Sequence, residues 1–164
     1  MNVWKGPTMT PERPHAAALR RGRVSLAGAV YLITTVTRQR QPLFADWRCA
    51  REVVRALMGE AALGRADTLA YVVMPDHVHW LMQLRGEAAL SAVVRSVKSV
   101  SAHRLGAAVW QPGFHDHALR ADEDVVAAAR YVVANPLRAG LVHRLADYPH
   151  WDAVWLGEDE RELW

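Results

Sequence analysis

Residues 71–84, "YVVMPDHVHWLMQL", constrain the chain more than any other stretch. Two apolar runs rich in Val, Tyr and Trp flank "MPD", a tight turn with Pro75 pre-set for it. A turn that short joins neighbouring antiparallel strands, because a parallel connection needs a dozen residues or more. Side chains alternate along a strand, so Val78, Trp80, Met82 and Leu84 share one apolar face. His77 and His79 then share the other face, with backbones about 7 Å apart.

The surrounding pattern alternates between strands and helices. "AVYLITTVTR" (29–38) reads as a strand. Asp46 is placed to cap an amphipathic helix over 47–63, where Ala50, Val53, Val54, Leu57, Met58 and Ala61 recur at helical spacing. A strand over 68–74 and the strand over 77–84 follow. A second helix, roughly 87–105, carries Leu90, Val93, Val94, Val97 and Ala102 on one side. A short strand near 114–119 precedes a third helix, "ADEDVVAAARYVVAN". The acids Asp122, Glu123 and Asp124 suit its positive end, and Pro136 is expected to stop it. The fold class is α+β: a ferredoxin-like βαββαβ antiparallel sheet, usual strand order 4-1-3-2, with an added C-terminal tyrosine-bearing helix and a tail. The expected divisions are a basic arm over 1–25, the main domain over 26–145 and an acidic, aromatic tail over 146–164.

Charge is unevenly spread. The net charge is +3. From position 145 onward, Asp147, Asp152, Glu158, Asp159, Glu160 and Glu162 stand against Arg161, which leaves the remaining body at +8. A basic body suits a polyanion such as nucleic acid, although solubility alone is the plainer reason for such a charge. No apolar run approaches the roughly 20 residues of a membrane helix, and the N-terminus lacks the apolar core of a secretory signal. The one cysteine, Cys49, leaves no internal disulfide. The expectation is a cytoplasmic protein.

Two imidazoles on one strand face can converge on a cation, but they can equally be ordinary surface histidines. A metal-assisted reaction needs a further oxygen ligand and a nucleophile. "RYVVANPLRAGL" places Tyr131 and Asn135 one helical turn apart, so Asn135 can offer a side-chain oxygen and Tyr131 a phenolic oxygen. A packing tyrosine and an Asn-Pro turn signal remain the simpler alternative. "FHDH" adds His115 and His117. A four-histidine zinc site is a rival, but in the 4-1-3-2 order these pairs lie two strands apart, roughly 10 Å. His115 and His117 read instead as sheet-surface or substrate-side residues. "GEAALG" (59–64) has Walker-like glycine spacing without the following Lys-Ser/Thr, so no nucleotide cofactor is expected.

Taken together, "MPDHVHWLMQL", "VWQPGFHDHALR", "ARYVVANPLRAGLV" and "ADYPHWDAVW" resemble, in this order, segments of the REP-associated tyrosine transposases. These are relatives of the IS200-type single-tyrosine transposases in the HUH endonuclease superfamily. The resemblance covers roughly residues 28–155. It implies that His77, His79 and Asn135 hold Mg²⁺ or Mn²⁺ and that Tyr131 is the nucleophile, forming a 5′-phosphotyrosine link. Asn135 stands where IS200-type relatives often carry the longer Gln. The implied substrate is single-stranded or hairpin DNA from repetitive extragenic palindromes, bound by a bacterial, nucleoid-associated protein that is a monomer rather than a dimer.

Groups suited to DNA are Arg95, Lys98, Ser99 and His103 on the polar side of the second helix, Arg120, and Arg20, Arg21 and Arg23 in the arm. Trp110 and Phe114 can stack unpaired bases, although core packing is the commoner role of each. The acidic tail, opposite in charge to the body, is a candidate plug for the cleft. The alternatives are a domesticated hairpin binder that no longer cuts, a metallonuclease in which water attacks, and a structural module.

Overall fold

The hairpin at residues 66–84 forms the heart of one five-stranded sheet. The computed structural model describes residues 26–154. The basic arm with Arg20, Arg21 and Arg23, and the tail from 155, lie outside the described residues. The strands are β1 (Val30–Val36), β2 (Ala66–Met74), β3 (His77–Leu84), β4 (His115–Ala118) and β5 (Trp151–Ala153), in the order β4-β1-β3-β2-β5, all antiparallel. The first four reproduce the ferredoxin-like order. The fifth adds to the edge of β2.

The helices are α1 (Trp47–Ala62), α2 (Leu90–Leu105), α3 (Val125–Val133) and α4 (Asn135–Arg138). Asp46 caps α1 as expected, accepting from the Arg48 N–H at 2.9 Å. Helix α2 starts later than its periodicity predicts. Gly86 takes a left-handed φ of 59° and Ala89 is extended, so the chain enters the helix only at Leu90.

Helix α3 meets one expectation and departs from another. Of the three acids before it, Asp124 is the cap, accepting from Val126 and Ala127 N–H at 2.8 and 3.2 Å, whereas Glu123 turns away toward His117. Pro136 does not stop the helical path. After a single turn residue, Ala134, the chain resumes as α4, with Pro136 in its first turn, where a missing N–H costs nothing. Asn135 Nδ2 donates to Tyr131 O (3.1 Å) and Val132 O (2.9 Å), satisfying carbonyls that the break leaves open.

Strand alternation divides the interior into two layers. Ile33, Val73, Val78, Trp80 and Met82 meet Val53 and Leu57 of α1 and Val93, Val94 and Val97 of α2. Leu32, Ala70, Val72, Met74 and Leu81 meet Ala128, Ala129, Val132 and Val133 of α3. His77 and His79 alternate in register with Leu81, so they belong to the α3 face. Tyr148 fastens the approach to β5 by donating its hydroxyl to Val73 O at 2.7 Å, and burial pushes that phenol up to about 12. Leu81 is fully buried beneath α3. Leu81→Ala is expected to lower stability by about 2–5 kcal/mol through lost contacts and a cavity, measurable as the urea midpoint.

Candidate active site

Strand β3 sets the two imidazoles, and each is held by its neighbours through Nδ1. His79 pairs across the ladder with Thr34, whose Oγ1 lies 2.8 Å from His79 Nδ1. His77 Nδ1 lies 2.6 Å from Asp76 Oδ1. Both Nε2 atoms are thereby left for a ligand, and a ring fixed through its other nitrogen is the usual support of a metal-binding histidine. The ring centroids are 4.8 Å apart, in an edge-to-face arrangement.

Asp76 is itself anchored. Its second oxygen takes Arg40 Nη1 at 3.1 Å, and Thr37 Oγ1 donates to Asp76 O at 2.9 Å. Arg40 and Gln39 reach this loop with left-handed φ of 52° and 55°. Such backbone costs a non-glycine residue roughly 1–2 kcal/mol, so the surrounding contacts hold strain beside the histidine turn. Burial pushes the Asp76 carboxyl up, but hydrogen bonds and charge from His77 and Arg40 outweigh it and hold it below the usual range. The carboxylate is therefore a standing acceptor for His77.

His79 is buried, and its pKa falls to about 3. Burial is the main cause, followed by the charges of His77 and Arg138, with Asp76 acting in opposition. The ring is neutral at neutral pH, the form that ligates metals. Above pH 6.5 neither the folded nor the unfolded ring binds a proton. Between 6.5 and about 3 only the unfolded chain does, so stability falls with falling pH by up to about 1.4 kcal/mol per unit from this group. Urea midpoints measured from pH 7 to 4 are expected to drop, and His79→Gln is expected to flatten the slope.

The tyrosine helix lies on this same face. Helix α3 packs against β2 and β3, and Tyr131, Asn135 and Arg138 form one stripe along α3 and α4. Arg138 Cζ lies 4.2 Å from the centre of the Tyr131 ring, and its charge also reaches His79. With Asn135 Nδ2 spent on helix carbonyls, Oδ1 is the atom that side chain has to offer. Two imidazole nitrogens and an amide oxygen are donor types that suit a divalent cation of borderline character. Among the described residues, no group of three or more His, Cys, Asp and Glu gathers at one point.

The other anticipated residues lie elsewhere. His115 and His117 share the histidine face, opposite Thr34 and Leu32, but β1 separates them from β3. His117 Nε2 turns to Glu123 at 3.0 Å, and His115 is exposed. Arg95, Lys98, Ser99 and His103 ride on α2, in the layer across the sheet. Lys98 Nζ donates to Gln111 O (2.7 Å) and Gly113 O (2.6 Å), pinning the loop before β4. Trp110 donates to Ser101 Oγ at 3.0 Å, packs 5.2 Å from Phe44 and, like Phe114, lies against the core. Arg120 is exposed, and its backbone N–H donates to Glu123. Sequence reasoning missed Thr34, Arg40, Asp76 and Arg138. Only Arg138 had a local signal, its place seven residues after Tyr131.

Comparisons with known proteins set the chain beside transposases. The family described as "Transposase IS200 like" matches residues 25–120, a span that holds the histidine pair and ends before Tyr131. The REP-associated tyrosine transposase of Escherichia coli K12 is 34% identical over 82 residues, 49% of this chain and 50% of its own. A Haemophilus influenzae relative is 27% identical over 100 residues, 51% of this chain and 57% of its own. The chain therefore spans about half the length of the curated relatives it matches. A solved structure of a REP-associated tyrosine transposase bound to a REP hairpin superposes with a TM-score of 0.67 at 27% identity, covering 79% of each chain.

Proposed function

This chain belongs to the IS200-like transposase family, and from that premise we propose that it cuts and rejoins hairpin DNA, using Tyr131 as the nucleophile. Supporting this reading are two histidines, both fixed through Nδ1, on the sheet face that α3 covers, and Arg138, which lies over the Tyr131 ring and whose charge reaches His79. His77 Nε2, His79 Nε2 and Asn135 Oδ1 would hold Mn²⁺ or Mg²⁺. Bound there, the ion supplies Lewis-acid polarisation of the scissile phosphodiester. Mixed nitrogen and oxygen donors suit Mn²⁺ at least as well as Mg²⁺, a hard ion that prefers oxygen.

The remaining steps belong to the protein. Tyr131 Oη loses its proton and forms a bond to phosphorus. The bond from phosphorus to the 3′ oxygen breaks, and that oxygen leaves as a hydroxyl after taking up a proton. A 5′-phosphotyrosine link remains, which keeps the bond energy and makes the cut reversible without ATP. Arg138, lying over the tyrosine ring, is placed to balance charge on the attacked phosphate. A stem with a short single-stranded flank is the proposed substrate, because the superposed relative is bound to a REP hairpin.

The test is a hairpin oligonucleotide labelled at each end in turn and incubated with Mn²⁺ or Mg²⁺. A denaturant-resistant adduct with the 3′-side fragment is expected. Cutting without an adduct would instead establish a water-using metallonuclease, and binding without cutting a domesticated binder. The carboxylate behind His77 gives a separate check. Asp76→Ala is expected to weaken Mn²⁺ binding about 10- to 100-fold, read by calorimetric titration of the metal alone.

A further inference from the structure

A groove of about 520 Å³ opens between α1 and the β2–β5 edge, lined by Trp47, Arg51, Val54, Arg55, Tyr71, Pro149 and His150. It lies in the α1–α2 layer, away from the histidine face. Trp47 is 53% exposed, although it is the largest side-chain type and stands beside a core. The guanidinium carbons of Arg48 and Arg51 lie 5.6 and 5.5 Å from its ring. His150 is held below its usual range, first by burial and then by the Arg51 charge, so positive charge reaches the far wall too. The carboxylate of this helix face, Glu52, is engaged by Arg55 and by Arg104 at 3.6 Å.

The groove and the active site share one end of the sheet. Phe44, three residues before Trp47, donates its N–H to Pro75 O at 2.9 Å, in the turn that presents Asp76 and His77. His150 O accepts from Val73 N at 2.8 Å, on the strand that enters that turn. The segment that leads into Trp47 and the strand end beside the groove are thus both tied to the turn that carries the histidines. The occupant must offer negative charge to two arginines and a flat face to an aromatic ring. Single-stranded nucleic acid offers both at every residue, a phosphate beside each base, whereas a peptide offers both only where acids and aromatics alternate. Arg48, Arg51 and Arg55 stand about 4.5 and 6 Å apart along the helix axis, a ladder that backbone phosphates can follow.

We propose that this groove holds the single-stranded segment flanking the cleaved phosphodiester, with an unpaired base on Trp47 and phosphates at Arg48 and Arg51. The assignment of the segment as a cleavage flank rests on the strand-cutting reading above. The binding itself does not.

The test uses the full chain and a hairpin with and without a single-stranded flank carrying 5-iodouracil at successive positions. Photo-crosslinks to the α1 peptide containing Trp47 are expected from flank positions and none from the stem. Trp47→Ala is expected to lose at least about five-fold in affinity for the flanked hairpin and nothing for the bare stem. Trp47→Phe keeps an aromatic face and is expected to restore most of the affinity, which separates stacking from a folding defect. Arg51→Gln is expected to reduce the salt dependence of binding by about 0.7 in log–log slope. Unchanged affinity in Trp47→Ala with no α1 crosslink overturns the proposal, even where the Tyr131 adduct forms normally. Crosslinks at Trp47 without any adduct would sustain the groove and overturn the strand-cutting reading.

Discussion

Tyr131→Phe is expected to abolish the covalent protein–DNA adduct while leaving hairpin affinity within about two-fold. The substitution removes one oxygen and keeps the ring on which Arg138 rests at 4.2 Å. The packing of α3 rests on the buried Ala128, Ala129, Val132 and Val133, all kept in the variant. The helix and the sheet beneath it are thus expected to survive, and circular dichroism with a urea midpoint checks this. No second nucleophile is available in "RYVVAN", so residual transesterification is expected to fall below detection, a loss of about 10⁴-fold or more. Gel electrophoresis under denaturing conditions reads the adduct directly. Cleavage that persists in Tyr131→Phe would sink the tyrosine mechanism and leave water as the attacking group.

The second large effect concerns the histidine pair. His77→Ala with His79→Ala is expected to reduce cleavage about 10³-fold, because Lewis-acid polarisation of the phosphate is worth several kcal/mol. Part of any loss could be structural. Thr34 Oγ1 loses its buried partner when His79 goes, and a buried hydroxyl left alone costs about 1–3 kcal/mol. His79→Gln, which keeps a polar group near Thr34, separates the two effects. If the metal account holds, His79→Gln folds normally, loses Mn²⁺ affinity and stays inactive at all metal concentrations reached. Full activity in both variants would remove the histidines from the reaction.

Much of this site was legible because its geometry is local. Alternation alone puts His77 and His79 on one face, and one helical turn joins Tyr131 to Asn135. The order of the first four strands followed from the order of elements. What stayed hidden depends on contacts between distant segments. Thr34 meets His79 only through the register of β1 against β3. Strand β5 is three residues long, too short for a period to show, and exists because Tyr148 and Ala153 bury against β2. Lys98 looked like a phosphate ligand because its helix face is polar, but its ammonium reaches loop carbonyls thirteen and fifteen residues on. Trp110 and Phe114 were equally ambiguous as aromatics, and both are partly buried against the core. The α2 cations lie across the sheet from Tyr131 because Val93, Val94 and Val97 bury against the opposite face.

The side chain of Asn135 bonds back to the helix it follows. Its nitrogen splints the break between α3 and α4 at the carbonyl of Tyr131 itself. Were its oxygen the proposed cation ligand, occupancy of that site and the bearing of Tyr131 would become a single equilibrium, and each would tighten the other by the same factor. Loading the site would then aim the tyrosine as well as activate the phosphate, and a chain without its ion would be both weak in chemistry and loose in aim.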